Sequence, residues 1–316
     1  MPVRSLITSL MKKLFLLAVV LFQLLFSAAL RAQDTSIFAY PLQMDTFVIK
    51  AARGGWDIAG FIRRVQTDTT FYKAFRALHV VSYTATNDIK MLDKPGGVKA
   101  SLYSHTRQNV AHGCRTMQVL DEKVMGDFYT RRRGYNYYTA ELYAYLFFTQ
   151  GSVCGETDIA AGTMDEGGKG MMAKNKNQLK QLIFNPGAKV RGIPFIGNKA
   201  SIFEPDIARY YDFKLLSVEY GGEDCWLFQA IPKPDHVKDV VYNELSTWFR
   251  KSDYSILARD YALSFSAGVY DFDVRMKVRL HPVNGRLLPS RIEYDGNWHV
   301  FTKGRERSRF TATFNY

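Results

Sequence analysis

The chain carries none of the short motifs that commit a sequence to one chemistry. It has no GxSxG nucleophile elbow, no HExxH pair and no phosphate loop, so nothing in it names a hydrolase, a metalloprotease or a nucleotide enzyme. Cysteine is scarce: Cys114, Cys154 and Cys225 are all that 316 residues hold. Three thiols without a CxxC, and histidines without an HxxxH pair, do not make a structural zinc site, and no metal or cofactor is expected. In an oxidising compartment three cysteines give one disulfide and one leftover thiol. Cys114 and Cys154 are the expected bridge, because they flank the same aromatic segment while Cys225 alternates with Leu227 and Ile231 in a strand. Beyond the N-terminal region there is no long uninterrupted apolar run, which excludes a second membrane-spanning helix. Repeats and low-complexity linkers are missing too, so residues 33–316 are expected to form a single domain.

What is present begins with a leader. Arg4, Lys12 and Lys13 precede an acid-free apolar run from Leu14 to Phe26, followed by Ser27, Ala28, Ala29 and Ala32. That order reads as a secretory signal peptide over residues 1–32, with an uncleaved anchor as the alternative. No cysteine stands near the cleavage site, which argues against a lipid-anchored N-terminus. Cleavage removes four basic residues and no acid, so the formal charge falls from +12 to about +8 and the exported chain stays basic. Such a chain in the periplasm or at the outer-membrane periphery would meet anionic membrane surfaces rather than nucleic acid. Arg131, Arg132 and Arg133, followed by tyrosines, would suit a nucleic-acid platform in the cytosol; behind a leader they read as a solvated turn.

Two amphipathic helices come next, with Ile58, Phe61, Ile62 and Val65 at i, i+3, i+4, i+7 and the same spacing in Phe71, Ala74, Phe75 and Leu78. A weaker helix is expected from Thr46, so the helical part spans 33–78. Strands are expected at 79–86, 98–104, 116–121 and 128–131, a helix at 137–148, a loop-rich insertion at about 150–180 and a helix at 177–184. A β meander follows at 211–220, 225–231, 240–250, 254–266, 270–280, 286–294, 298–302 and 309–316. Gly221-Gly222, Asn284-Gly285 and Asp295-Gly296 read as its hairpin turns. A change of phase near Asp260 suggests a bulge there.

The clearest strand is 271–280, DFDVRMKVRL. Phe272, Val274, Met276, Val278 and Leu280 fall on one face and Asp271, Asp273, Arg275, Lys277 and Arg279 on the other. A period of two held for roughly 33 Å marks a sheet with one apolar and one solvated face. The two aspartates do not make an acid/base pair, since the basic residues continuing their row read as a cross-strand ion ladder. His105, His112 and Cys114 cluster in sequence, but no ordered partner accompanies the thiol. The apolar face is therefore the candidate site, with Trp248 and Phe249 contributing from a neighbouring strand.

The segment YYDFKLLSVEYGGEDCWLFQAIPKP (Tyr210 to Pro234), a strand, glycine turn, strand and proline, is followed by the hairpin ELSTWFRKSDYSILARDYAL (Glu244 to Leu263). This order resembles the LolA/LolB-like half-barrels, the lipoprotein-localisation carriers of the bacterial envelope. The resemblance covers about half of residues 33–316, and the 110–200 region has no counterpart. It implies a mainly β fold with some α, in which a curved antiparallel sheet is covered on one face by short helices and holds a cavity for acyl chains. The expected function is a non-enzymatic exported envelope protein that binds a lipid, acyl chain or lipoprotein there. An integral outer-membrane barrel, suggested by the alternating terminal strand that ends at Tyr316, and a secreted hydrolase are the alternatives.

Overall fold

The computed structural model describes residues 58–157, 186–187, 196–266, 270–300 and 303–316. The expected leader, the helix from Thr46, most of the 150–180 insertion and the 177–184 helix lie outside these residues. The two amphipathic stripes form α1 (Ile58–Thr67) and α2 (Thr70–Ala77). They are broken where expected, because the Asp68 carboxylate accepts the Thr70 amide at 3.0 Å. The aromatic segment forms α3 (Tyr138–Phe147), and a short α4 (Pro205–Ala208) precedes the meander.

Among the described residues, eleven strands make one open, curved, wholly antiparallel sheet. They are β1 (Tyr83–Leu92), β2 (Val98–Ala111), β3 (Cys114–Met125), β4 (Ser152–Cys154), β5 (Tyr211–Tyr220), β6 (Glu223–Pro232), β7 (Tyr242–Arg250), β8 (Ile256–Ser266), β9 (Tyr270–Val283), β10 (Arg286–Val300) and β11 (Lys303–Asn315). Their spatial order is β4-β3-β2-β1-β11-β10-β9-β8-β7-β6-β5, so the first meander joins the second through β1 on β11. The terminal strand is thus an interior strand, and β4 and β5 are the two edges. An outer-membrane barrel closes its sheet on itself, whereas among the described residues these edges do not meet.

Helices α1, α2 and α3 lie on one face. Phe61 of α1 meets Phe249 of β7 edge-on at 5.5 Å, Phe71 of α2 meets Tyr261 of β8 at 6.4 Å, and Tyr143 of α3 meets Phe310 of β11 at 4.8 Å. The opposite face carries ion pairs between strands, including Arg309 to Asp295 at 2.8 Å, Arg305 to Asp271 at 2.8 Å and a bidentate Arg279 to Asp260 pair. This is the ladder that the charged row of β9 called for.

Several local expectations need correction. Asn284 and Gly285 have φ of 49° and 76° and turn β9 into β10, as a two-residue hairpin loop requires. Asp295-Gly296, read as the next such turn, lies inside the single strand β10. There Gly296 serves close approach: a Cβ would collide with the Tyr294 phenol, which lies along the sheet stacked on Phe310 at 4.6 Å. Residues 128–131 form only an isolated bridge, Tyr129 to Tyr135. The irregularity of β8 falls at Leu257 rather than Asp260, because Trp248 and Phe249 pair with Ala258 and Ile256. His79 belongs to a 3-10 turn, Leu78–Val80, and β1 starts after it.

Candidate functional site

The apolar row of β9 is where the periodicity placed it. Phe272, Val274, Met276, Val278 and Leu280 are all buried, Val274 and Val278 completely, and Phe249 joins them. Trp248 does not. It neighbours Phe249 on a strand, so a period of two sends it to the opposite face, where it packs with Tyr220 and the small cluster of Leu216, Val218, Cys225, Leu227 and Leu257. The row is also not uniformly apolar across the sheet. Arg259 pairs with Val278, is buried, donates from Nε to Thr247 at 3.0 Å and lies under the Phe71 ring at 4.3 Å. Burial brings its pKa down to about 10.

Val274 and Val278 line neither of two spaces that lie beside α3. A void of about 10 Å³, the size of one water, separates α3 from the sheet and is lined by Thr139, Leu142, Tyr143, Met276, Tyr294 and Phe310 together with Leu146 and Phe147. A larger cavity of about 120 Å³ has apolar walls from Tyr72, Phe75, Leu78, Tyr145, Leu146 and Phe147. Leu146 and Phe147 line both spaces, so the end of α3 is the partition between them.

The sequence explains why α3 sits there. Apolar on most sides, the helix buries Leu142, Tyr143, Ala144 and Phe147. Its N-terminus has orphan amides, and the Glu306 carboxylate of β11 accepts those of Tyr138 and Thr139 at 2.8 and 2.9 Å. The Tyr143 hydroxyl donates to Asn87 Oδ1 at 2.7 Å, and Asn87 Nδ2 in turn donates to the Ser104 and Thr106 hydroxyls at 3.2 Å.

The polar wall of the larger cavity consists of Arg76, His79, Arg115 and Glu156. Arg115 grips the Glu156 carboxylate through Nε and Nη2 and donates from Nη1 to Thr149 at 2.6 Å. His79 Nδ1 lies 2.8 Å from Glu156, and Arg76 donates to the Thr157 carbonyl at 3.0 Å. Burial alone would raise the Glu156 carboxyl, but Arg115 and His79 hold it below the ordinary value. The arrangement is anchored by a disulfide between Cys114 and Cys154, with Cα atoms 4.0 Å apart. Cys225 is a free, buried thiol whose pKa burial pushes up to about 11.

Sequence reasoning did not bring Arg115, His79 and Glu156 together. The signal was available, since Arg115 follows Cys114 and Glu156 lies two residues after Cys154, so the expected bridge draws them close. His79 and Glu156 are spaced as the histidine and carboxylate of a catalytic triad would be, but the described residues lining the cavity include no serine, threonine or cysteine to serve as nucleophile. Of the other residues singled out, His105 faces Asp121 at 2.8 Å, His112 occupies the β2–β3 turn, and Arg133 pairs with Glu122 at 2.6 Å while Arg131 and Arg132 stand exposed.

No family model matches this chain, and no curated protein matches it. Among solved structures, it is similar to a DUF1329 family protein from Desulfovibrio piger (12% identity, 78% of this chain and 90% of that one, TM-score 0.22). It is also similar to a domain from Vibrio parahaemolyticus described as an outer membrane lipoprotein-sorting protein (10%, 78% and 89%, 0.23). A third is a LolA superfamily protein from Nitrosomonas europaea (8%, 78% and 90%, 0.23). At these scores the likenesses bear no weight for function. The half-barrel-like description rests on the strand order, the curvature and the one-sided helical cover.

Proposed function

We propose that this protein is a non-enzymatic carrier of the bacterial envelope, exported to the periplasm, that takes an acyl chain between α3 and the sheet. The observation that carries this reading is the partition: the same two side chains, Leu146 and Phe147, wall off both the 120 Å³ cavity and the void at Met276. A cavity of this volume approaches one that holds a benzene ring, of about 150 Å³, and is too small for a whole acyl chain. Shifting the end of α3 would join the two spaces into an apolar channel floored by Met276, Tyr294 and Phe310. The apolar row of β9 then contributes through Met276, while Val274 and Val278 support the floor from beneath the helical cover.

The test uses decanol and a neutral fluorescent acyl probe with the exported chain, alongside mass spectrometry of lipid that co-purifies with it. The expected result is saturable probe binding, displacement by decanol and loss of both in Leu146→Trp with an unchanged melting temperature. Absence of probe binding together with absence of co-purified acyl lipid overturns the reading.

A further inference from the structure

We infer that the end of the sheet built from the β1–β2 turn, the last residues of β3 and the segment 126–137 is a docking surface for an anionic lipid bilayer. It is separate from the cargo site of the carrier reading, and either can exist without the other. Three pieces of chain meet there. Leu92 pairs with Val98 across the β1–β2 turn, and β3 runs alongside with Val124 opposite Leu102 and Met125 opposite Ser101. Gly126 then turns the chain with φ 65°, so close to β2 that a Cβ would strike the Lys99 carbonyl. The chain beyond folds back through the Tyr129 to Tyr135 bridge, and the rings of Tyr129, Tyr135 and Tyr137 pack around the buried Phe128. Arg133 ties this segment to β3, donating to Glu122 at 2.6 Å and lying 4.7 Å from the Tyr129 ring centre, while the Lys99 ammonium lies 4.9 Å from that of Tyr137. The end is therefore one built surface rather than three loose tips.

What this surface shows to solvent is both apolar and basic. Val98 is 42% exposed, Val124 43% and Met125 47%, and they are interleaved with exposed Lys94, Lys99, Lys123, Arg131 and Arg132. Together with Arg133 these cations outnumber the acids of the same end, Asp93, Asp121, Glu122 and Asp127. Three of the acids are already engaged: Asp93 accepts the Gly96 and Gly97 amides at 2.9 and 2.6 Å, Asp121 faces His105 at 2.8 Å, and Glu122 holds Arg133. Lys94, Lys99, Lys123, Arg131 and Arg132 form no ion pair among the described residues. Apolar side chains set among long cationic ones match an anionic bilayer layer by layer, because the apolar groups enter the interface while the charged heads stay level with the phosphates.

A second copy of the chain is the competing occupant, since β3 is an edge strand among the described residues beyond Thr116, where β4 stops pairing with it. That edge is built against strand addition. The register with β2 slips between His105 and Thr106, which leaves Leu120 as a bulge, and Lys123 places a charge farther along the same edge. A bilayer needs no backbone partner, so neither feature works against it. The positive balance favours it over a copy that carries the same charge.

The experiment measures co-sedimentation of the protein with vesicles of phosphatidylcholine and with vesicles of equal parts phosphatidylcholine and phosphatidylglycerol. An environment-sensitive dye attached at Met125→Cys, or at Asn109→Cys near the far end of β2 for comparison, makes the readout local, so that binding by another part of the chain does not count as docking here. The expected result is binding about tenfold or more tighter to the anionic vesicles, weakening as salt rises, with a blue shift of the dye at Met125→Cys and none at Asn109→Cys. Combining Lys94→Gln, Lys123→Gln, Arg131→Gln and Arg132→Gln should remove the preference for anionic vesicles, and Val98→Ser with Val124→Ser should weaken binding severalfold and reduce the dye shift. All six residues are exposed and line neither space beside α3, so acyl-probe binding should be unchanged in both variants. Equal binding to the two vesicle types, or no dye shift at Met125→Cys on vesicles that the protein binds, overturns the docking surface. A shift that needs no vesicle and follows protein concentration assigns this end to a second copy and overturns it too. Failure to bind any vesicle also overturns it and leaves the carrier reading standing, because that reading is tested with a soluble acyl probe.

Discussion

Two parts of the same inner layer behave in opposite ways. Val274 and Val278 are fully buried and line neither of the two spaces beside α3. Around Leu146 and Phe147 the layer is hollow, and the hollow ends on four polar side chains. Both regions derive from apolar residues in regular elements. The difference lies in what covers them: α2 buries Phe71, Ala74, Phe75 and Ala77 and sets Phe71 against Tyr261 of the sheet, whereas the end of α3 places Leu146 and Phe147 on the walls of both spaces. A continuous apolar face is thus not a continuous binding surface.

That contrast can be broken by substitution. The largest effect is expected for Met276→Asp, which places an unpaired carboxylate in the dry layer and should cost roughly 4 kcal/mol or more in urea unfolding. A loss below about 1 kcal/mol would mean water already reaches the floor. Removing the bridge with Cys114→Ser and Cys154→Ser opens a loop whose ends are 40 residues apart and is expected to cost about 3 to 4 kcal/mol. Its distinguishing feature is local: probe binding beside Arg115 should weaken more than probe-independent signals from β9, and equal loss in both would contradict the hollow's dependence on the bridge. Val274→Trp should overpack the filled region at a cost of about 1 to 3 kcal/mol, while Leu146→Trp in the hollow should cost little and block the probe. If the two tryptophans behave alike, the two regions are not different.

Smaller effects sharpen the account of α3 and the ion cluster. Glu306→Gln weakens the charged acceptor at the α3 N-terminus and is expected to cost about 1 kcal/mol, read as a lowered melting temperature with faster probe entry. An unchanged rate would separate α3 from the gate. The Glu156 carboxyl is held low in the folded protein, so its contribution is present above the ordinary carboxylate pKa and is lost as pH falls through the depressed folded value. Unfolding free energies followed from pH 6 down to pH 3 should therefore drop more for the natural chain than for Glu156→Gln. Parallel curves would remove the linkage.

The fold was legible where periodicity decides. The rows of α1, α2 and β9 gave element type and face together, and the Gly221-Gly222 and Asn284-Gly285 turns fixed the hairpins. Asp295-Gly296 shows the limit, since the same dipeptide that makes a hairpin turn also makes room for a flattened tyrosine, and only the neighbouring strands distinguish the two. The junction of β1 with β11 joins residues more than two hundred positions apart and has no local signature. The candidate site was half legible. Strand alternation found Met276 but could not tell a filled face from a hollow one, because the cover comes from α3, far away in the chain. Trp248 was misplaced by ignoring the alternation that had located its neighbour.

The central claim, that cargo enters between the end of α3 and the sheet, is tested most directly by photocrosslinking the protein with a long-chain fatty acid that carries a diazirine in its tail. The account predicts adducts on Leu146, Phe147, Phe75 and Met276, competed away by decanoate. Adducts confined to the opposite face around Trp248, or labelling that decanoate does not compete, would contradict it.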